Sequence, residues 1–179
     1  MTPAVDGAAT AVHTPTMSIR VASLNHAVLY VRDASAAADF YHRVFGFEVV
    51  ESAFGGRAVF MRAAGGSNHH DLGLFSVGPD APRPPRGSVG LYHLAWEVPT
   101  IDDLANAAGV LSTEGALAGT SDHGVSKSLY GADPDGNEFE IMWRVPREAW
   151  GEFESKGVVM ALDLDADLKR WGAAGAASA

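Results

Sequence analysis

Cysteine is absent from all 179 positions of this chain. That removes disulfides, thiolate nucleophiles and every zinc or iron-sulfur site built on sulfur, so any transition metal here has to sit on His, Asp or Glu. Positive charge is scarce as well: 13 Lys and Arg stand against 22 Asp and Glu, giving a formal charge of −9 and a pI near 5.1. Such a chain has no electrostatic footprint for a phosphate backbone or an anionic bilayer, so neither nucleic acid nor membrane is expected as a partner. No apolar run approaches the ~20 residues of a membrane span, and no basic stretch followed by a hydrophobic one opens the chain. A cytoplasmic location is the default expectation. Apolar side chains, by contrast, are plentiful. They make up 47% of the residues against 20% charged, with a mean hydropathy of +0.02, enough to core one compact domain or two closely joined half-size modules.

Residues 1–20 and 172–179 mix small residues without periodicity and read as loose tails. Between them the chain repeats. Leu24 to Val31 (LNHAVLYV) and Leu91 to Val98 (LYHLAWEV) align without a gap at an offset of 67, with Leu, His and Val coinciding. Each segment has the β-branched and aromatic content of a buried strand. Each is followed by a helix opening, Asp33 or Ser35 before AAADFYHRVFG and Thr100 before IDDLANAAGVLSTEG. In the first half, strand-like runs follow at Phe47 to Ala53, Arg57 to Arg62 and Asp71 to Val77. In the second they fall at Ala116 to Thr120, Ser126 to Tyr130 and Glu138 to Val145. The expected unit is βαβββ, used twice: an α+β fold with a first module at 21–78 and a second at 89–146. A Pro-rich joint at 79–88 links them, since it cannot hold helix or central strand. Asp133-Pro134-Asp135-Gly136-Asn137 is a turn that launches the last strand. From 147 to 171 the partly helical spacing of Trp150, Phe153, Val158, Leu162, Leu164 and Leu168 predicts an accessory helix or two against the sheet.

His26 and His93 occupy the third position of equivalent strands, and a pseudo-twofold axis would bring such strands face to face. Glu140 shares the parity of Glu138 and Met142, while Phe139, Ile141 and Trp143 point the other way. A single strand histidine is ordinarily a core or surface residue. Two in one register, with a carboxylate between large apolar residues in the same repeat's last strand, argue instead for a divalent metal. Two His and one carboxylate on one side of an ion leave positions open, an arrangement associated with non-haem Fe(II) oxygenases. The fourth symmetric place is Gly73, which contributes no ligand.

HHDLGLF (His69 to Phe75), GLYHLAWEV (Gly90 to Val98), DHGVSKSLY (Asp122 to Tyr130) and DPDGNEFEIMW (Asp133 to Trp143) together resemble the vicinal oxygen chelate superfamily, and its catechol 2,3-dioxygenase-like branch in particular. The resemblance runs from about Leu24 to Trp143. It implies two paired βαβββ modules forming a cupped mixed sheet around a metal, with His26, His93 and Glu140 as ligands and Fe(II) as the ion, or else Mn, Ni, Co or Zn. It also implies His70 as an acid-base residue, His123 in the loop before a strand, and Tyr130 as a hydroxyl donor near a metal-bound substrate oxygen. Strict alternation sets His70 opposite to Gly73, so either the strand begins after it, a bulge intervenes, or His69 faces the site. His42 in the first helix and His13 in the tail are expected to have no catalytic role. Trp96, Trp143 and Phe75 are expected in the walls of a pocket or in the core.

The function implied is Fe(II)-dependent ring cleavage of a small aromatic, catechol-like substrate with O2, by a homodimer whose exposed sheet edges give a motive to associate. A lyase or isomerase using the metal as a Lewis acid, and a non-catalytic protein that sequesters an aromatic ligand, are the alternatives. Gly73 and the DHGVSKSLY residues argue against glyoxalase I.

Overall fold

The duplicated pattern builds two sheets of four strands each. The computed structural model describes residues 19–85 and 87–173; the outer parts of both expected tails lie outside these. The first module runs β1 (Ala27–Val31), α1 (Ala34–Phe45), β2 (Glu48–Ala53), β3 (Ala58–Arg62) and β4 (Leu72–Ser76). The second repeats it as β5 (Leu94–Glu97), α2 (Ile101–Thr113), β6 (Leu117–Asp122), β7 (Ser126–Ala132) and β8 (Glu138–Arg144). Strand orders are β1-β4-β3-β2 and β5-β8-β7-β6, with the first and last strands of each module parallel and the other pairs antiparallel. Register is shared too: Val28 faces Gly73 in one sheet, as Ala95 faces Glu140 in the other.

Local chemistry sets the element ends. Asp33 caps α1 by accepting from the amides of Ser35 and Ala36, and Gly46, at φ 66°, closes it in the left-handed region that glycine enters freely. Thr100 and Asp103 form a reciprocal capping box at the start of α2. Several boundaries differ from the sequence reading. The first strands begin at Ala27 and Leu94, so His26 and His93 sit just ahead of the strands rather than inside them. The ladder opens with the Ala27 amide donating to Asp71, while Leu24 is left in solvent. β6 runs on to Asp122 because its hairpin with β7 pairs through Asp122 and Lys127 before a tight turn, closed by the His123 amide on the Ser126 carbonyl, and β7 runs on to Ala132, which pairs with Glu138 of β8.

Alternation then sorts the side chains. Leu29, Val31, Met61, Leu72 and Leu74 of the first sheet, and Leu129, Phe139, Ile141 and Trp143 of the second, join Phe40 and Tyr41 of α1 and Leu104 and Leu111 of α2 in one core. Phe45 meets Phe139 edge-on at 5.0 Å and Trp96 at 6.3 Å, and Arg43 of α1 reaches Glu114 beyond α2 at 3.2 Å. Fully burying each of the larger apolar side chains contributes about 1.5–3 kcal/mol. The helices are therefore shared filling between the inner faces of both sheets, and the outer faces turn away from that core. The α+β class and the two βαβββ modules of mixed sheet are as expected; what differs from the expectation is that, within one chain, helices lie between the equivalent strands. The sheets are not closed on one another, because their most apolar faces are already used against the helices.

The turn at Asp133 to Asn137 does more than reverse the chain. Buried Asp133 accepts from the amides of Asp135 and Asn137, from Asn137 Nδ2 and, at 3.3 Å, from the Tyr41 hydroxyl. Asp135 takes Arg32 Nη1 at 2.8 Å, and Arg83 of the Pro-rich joint donates to the Pro134 carbonyl. The two modules are thus locked in this relation. After β8, two short 3₁₀ turns and an extended stretch lead to a single accessory helix, α3 (Leu164–Trp171), whose Trp171 lies 6.1 Å from Trp143. No helix among the described residues is long and apolar enough to cross a membrane.

Candidate functional site

Four of the six residues singled out from sequence converge on the outer face of the second sheet. His93, just ahead of β5, places Nε2 at 3.0 Å from Oε2 of Glu140 on the adjacent β8. Oε1 of the same carboxylate lies 3.3 Å from the hydroxyl of Tyr130, which sits opposite Glu140 on β7. That hydroxyl is 2.8 Å from His123 Nε2, and His123 Nδ1 donates to the Val158 carbonyl at 2.8 Å. The order is imidazole, carboxylate, phenol, imidazole. Burial, and after it the neighbouring Glu140 carboxylate, push the Tyr130 phenol above its ordinary pKa, so it keeps its proton at neutral pH.

Donor atoms about 2.1 Å from one divalent ion, at right angles to each other, stand about 3 Å apart. His93 Nε2 and Glu140 Oε2 have that spacing, so the pair fits two neighbouring positions on a metal. His93 Nδ1 is buried without a protein partner.

The other two residues converge on the outer face of the first sheet. The rings of His26 and His70 are 4.6 Å apart, and Phe60 lies 5.0 Å from His70. β4 begins only at Leu72, so His70 belongs to the loop before it, which resolves the parity question; its Nδ1 lies 3.1 Å from that of His69. Burial, followed by the charges of His26 and His69, holds the His70 pKa below its ordinary value despite Asp71. His26 Nδ1 donates to Asn25 Oδ1 at 2.8 Å, which leaves Nε2 as the nitrogen free to ligate. Asn68 ties this corner together, donating to the Asn25 carbonyl and to Asp71. Asn25 and Asn68 were not singled out from sequence; an asparagine beside a histidine carries no periodic signal.

The two clusters occupy different faces. Among the described residues, no three or more His, Asp or Glu side chains form a group that could hold one metal ion. Within a single chain, His26 therefore does not join His93 and Glu140. Of the expected wall residues, Trp96 and Trp143 pack in the core, whereas Phe75 lies on the first sheet's outer face near Phe60 and Phe54. His42 is structural, its Nδ1 donating to the Phe47 carbonyl past the end of α1. Lys127, also unremarked in the sequence, is buried against Asp122 at 2.5 Å and Asp167 at 3.5 Å.

Residues 23–141, which carry all six of these side chains, match the family described as glyoxalase/bleomycin resistance protein/dioxygenase superfamily. The chain belongs to this superfamily. Among its relatives, the catechol-2,3-dioxygenase of Bacillus subtilis is 33% identical over 153 residues, covering 83% of this chain and 52% of that protein. A biphenyl-2,3-diol 1,2-dioxygenase of Rhodococcus globerulus is 32% identical, covering 66% of this chain and 61% of its own length. The chain thus spans only about half to three-fifths of these two dioxygenases. In fold it resembles the fosfomycin resistance protein FosX of Listeria monocytogenes, solved with Mn(II) and a dihydroxypropylphosphonic acid: TM-score 0.57, 17% identity, 75% of this chain and 99% of that one. The segment from 147 onward lies beyond the part matched to the superfamily.

Proposed function

We propose that this protein is an Fe(II)-dependent dioxygenase of the extradiol type, opening the ring of a catechol-like substrate with O2. Its metal ligands are His26, His93 and Glu140. The observation that carries the reading is the contact of His93 Nε2 with Glu140 Oε2 at 3.0 Å, flanked on the same face by the Tyr130 and His123 pair. Similarity to two dioxygenases that act on aromatic diols supports it. Iron held by His26, His93 and Glu140 would supply Lewis-acid activation of a diol and the redox chemistry that O2 requires.

The remaining steps belong to side chains. Tyr130, protonated at neutral pH, gives its proton to the bare His123 Nε2 as its Oη takes one from a substrate hydroxyl; run in reverse, the same relay hands a proton back to an anionic substrate oxygen. His70, beside His26, is the second acid-base group, and Phe60 and Phe75 give the ring an apolar wall.

Because the two clusters face away from one core, the three ligands meet only if a second copy of the chain presents its first sheet to the second sheet of its partner. A C2 pairing of this kind builds two identical sites. Exposed apolar groups on and beside those faces supply the motive: Tyr30 is 74% and Tyr92 75% exposed, accompanied by Val28 and Leu91.

Two measurements test the reading. Protein reconstituted anaerobically with Fe(II) should consume O2 on addition of catechols and yield a ring-opened, yellow product; inactivity across a broad catechol panel overturns the dioxygenase assignment. His26→Ala and Glu140→Ala should each be inactive alone. Mixed, unfolded and refolded together, they should regain about a quarter of wild-type activity, since half the dimers carry one intact site. A mixture that stays inactive while each variant still dimerises rules out the shared site.

A further inference from the structure

The segment after β8 reaches back to the turn that carries His123. Three of its residues close on positions 122 to 124. Met160 pairs with Asp122 through both backbones, its amide donating to the Asp122 carbonyl at 2.9 Å and its carbonyl accepting from the Asp122 amide at 3.0 Å. Phe153 lies over Gly124 so closely that a Cβ there would collide with the ring, and the φ of 75° at Gly124 is itself one that glycine favours. Between these contacts, the Val158 carbonyl stands 2.8 Å from His123 Nδ1.

A carbonyl can only accept, so this contact keeps a proton on Nδ1. A neutral imidazole protonated there has a bare Nε2. That nitrogen is the one 2.8 Å from the Tyr130 hydroxyl, nearer than the competing Glu140 Oε1 at 3.3 Å. An imidazole free of the carbonyl could carry its proton on either nitrogen, and with the proton on Nε2 it could not receive one from Tyr130. All three contacts come from chain beyond the part matched to the superfamily.

We infer that residues 153 to 160 are a positioning element for His123: the Val158 carbonyl fixes the tautomer that lets His123 accept the Tyr130 proton, and Met160 and Phe153 hold that carbonyl in place. The purpose rests on the function proposed above; the tautomer itself does not. Val158, Met160 and Phe153 act through His123, as positioning residues.

The test uses the full chain, metal-free, labelled with 15N-histidine and observed by NMR at about pH 8.5, above the ordinary histidine range. The signals of His123 are identified by their loss in His123→Gln. A single tautomer is expected, with Nδ1 protonated and Nε2 bare. Met160→Pro removes the amide that donates to Asp122, and Phe153→Ala removes the ring over Gly124. Both should draw the two nitrogen shifts toward each other, Phe153→Ala the less. In Fe(II)-loaded protein the same variants should lower kcat roughly tenfold while leaving KM within about twofold. A wild-type ring protonated on Nε2, or already averaged, overturns the inference. So do unchanged shifts in Phe153→Ala, which also decides the matter if Met160→Pro does not fold. Absence of turnover in every form would sink the dioxygenase reading and leave the tautomer result standing.

Discussion

The two modules have the same frame and opposite surfaces. Val28 faces Gly73 in the first as Ala95 faces Glu140 in the second, so the strand ladders are superimposable in register. On the outer face of the first sheet stand Val28, Tyr30, Phe60 and Phe75; on that of the second stand Glu140, Tyr130, Ser128 and Glu97. Phe60 and Val28 fill the space over Gly73, where a Cβ would meet both at 3.4 Å. Duplication kept the inner faces apolar because both must cover the helices. It left the outer faces free to diverge, one into an apolar wall beside a pair of imidazoles and the other into a run of imidazole, carboxylate and phenol.

Predictions that probe this contrast begin with the equivalent positions. Glu140→Ala should cut bound metal by more than the ~100-fold typical of losing an outer-shell partner, measured by elemental analysis after gel filtration. Gly73→Ala should leave metal content intact and cost less than about 1 kcal/mol, because the added methyl makes ordinary contacts. Metal loss in both variants would mean that position 73 bears on the ion as position 140 does, and that the two equivalent places do not differ.

Inner and outer faces should also respond differently. Phe139→Ala opens the shared core and should cost about 3–5 kcal/mol in denaturant unfolding. Tyr30→Ala should change the stability of the separated chain by less than about 0.5 kcal/mol while weakening self-association in sedimentation. Equal losses from the two would show that the outer face is not free surface.

The lock between modules gives an intermediate effect. Asp133→Ala strands two turn amides and the Tyr41 hydroxyl, for roughly 2–3 kcal/mol, read from the same unfolding curves.

The smallest effect is at Asp167. Burial, outweighing Lys127, holds its carboxyl above the usual range. A folded pKa above the unfolded one gives stability that is complete at acid pH and is lost as pH rises through the folded value. Asp167→Asn, which cannot ionise, should therefore match wild type near pH 3 and exceed it at pH 7, by on the order of 1 kcal/mol or less. A variant less stable than wild type at pH 7 would show that the Lys127 pair dominates.

Much of the site was legible in the chain because its signals are periodic. An eight-residue segment recurring at a fixed offset marks His26 and His93, and strand parity marks Glu140; the DHGVSKSLY run carries His123 and Tyr130 at a spacing that one hairpin preserves. The contacts that orient these groups were not legible. Val158 lies 35 residues beyond His123, Asn68 lies 43 beyond Asn25, and Asp133 lies 92 beyond Tyr41. No local rule of propensity or alternation couples positions so far apart.

The residues by themselves determined the duplicated βαβββ units, their caps and turns, and which side chains share a strand face, since each follows from spacing along a few residues of backbone. Only the tertiary structure decided which faces would be buried together. Two apolar sheet faces and two amphipathic helices can be packed in more than one way. Here the helices went between the sheets, and that choice left each module's chemical face looking outward.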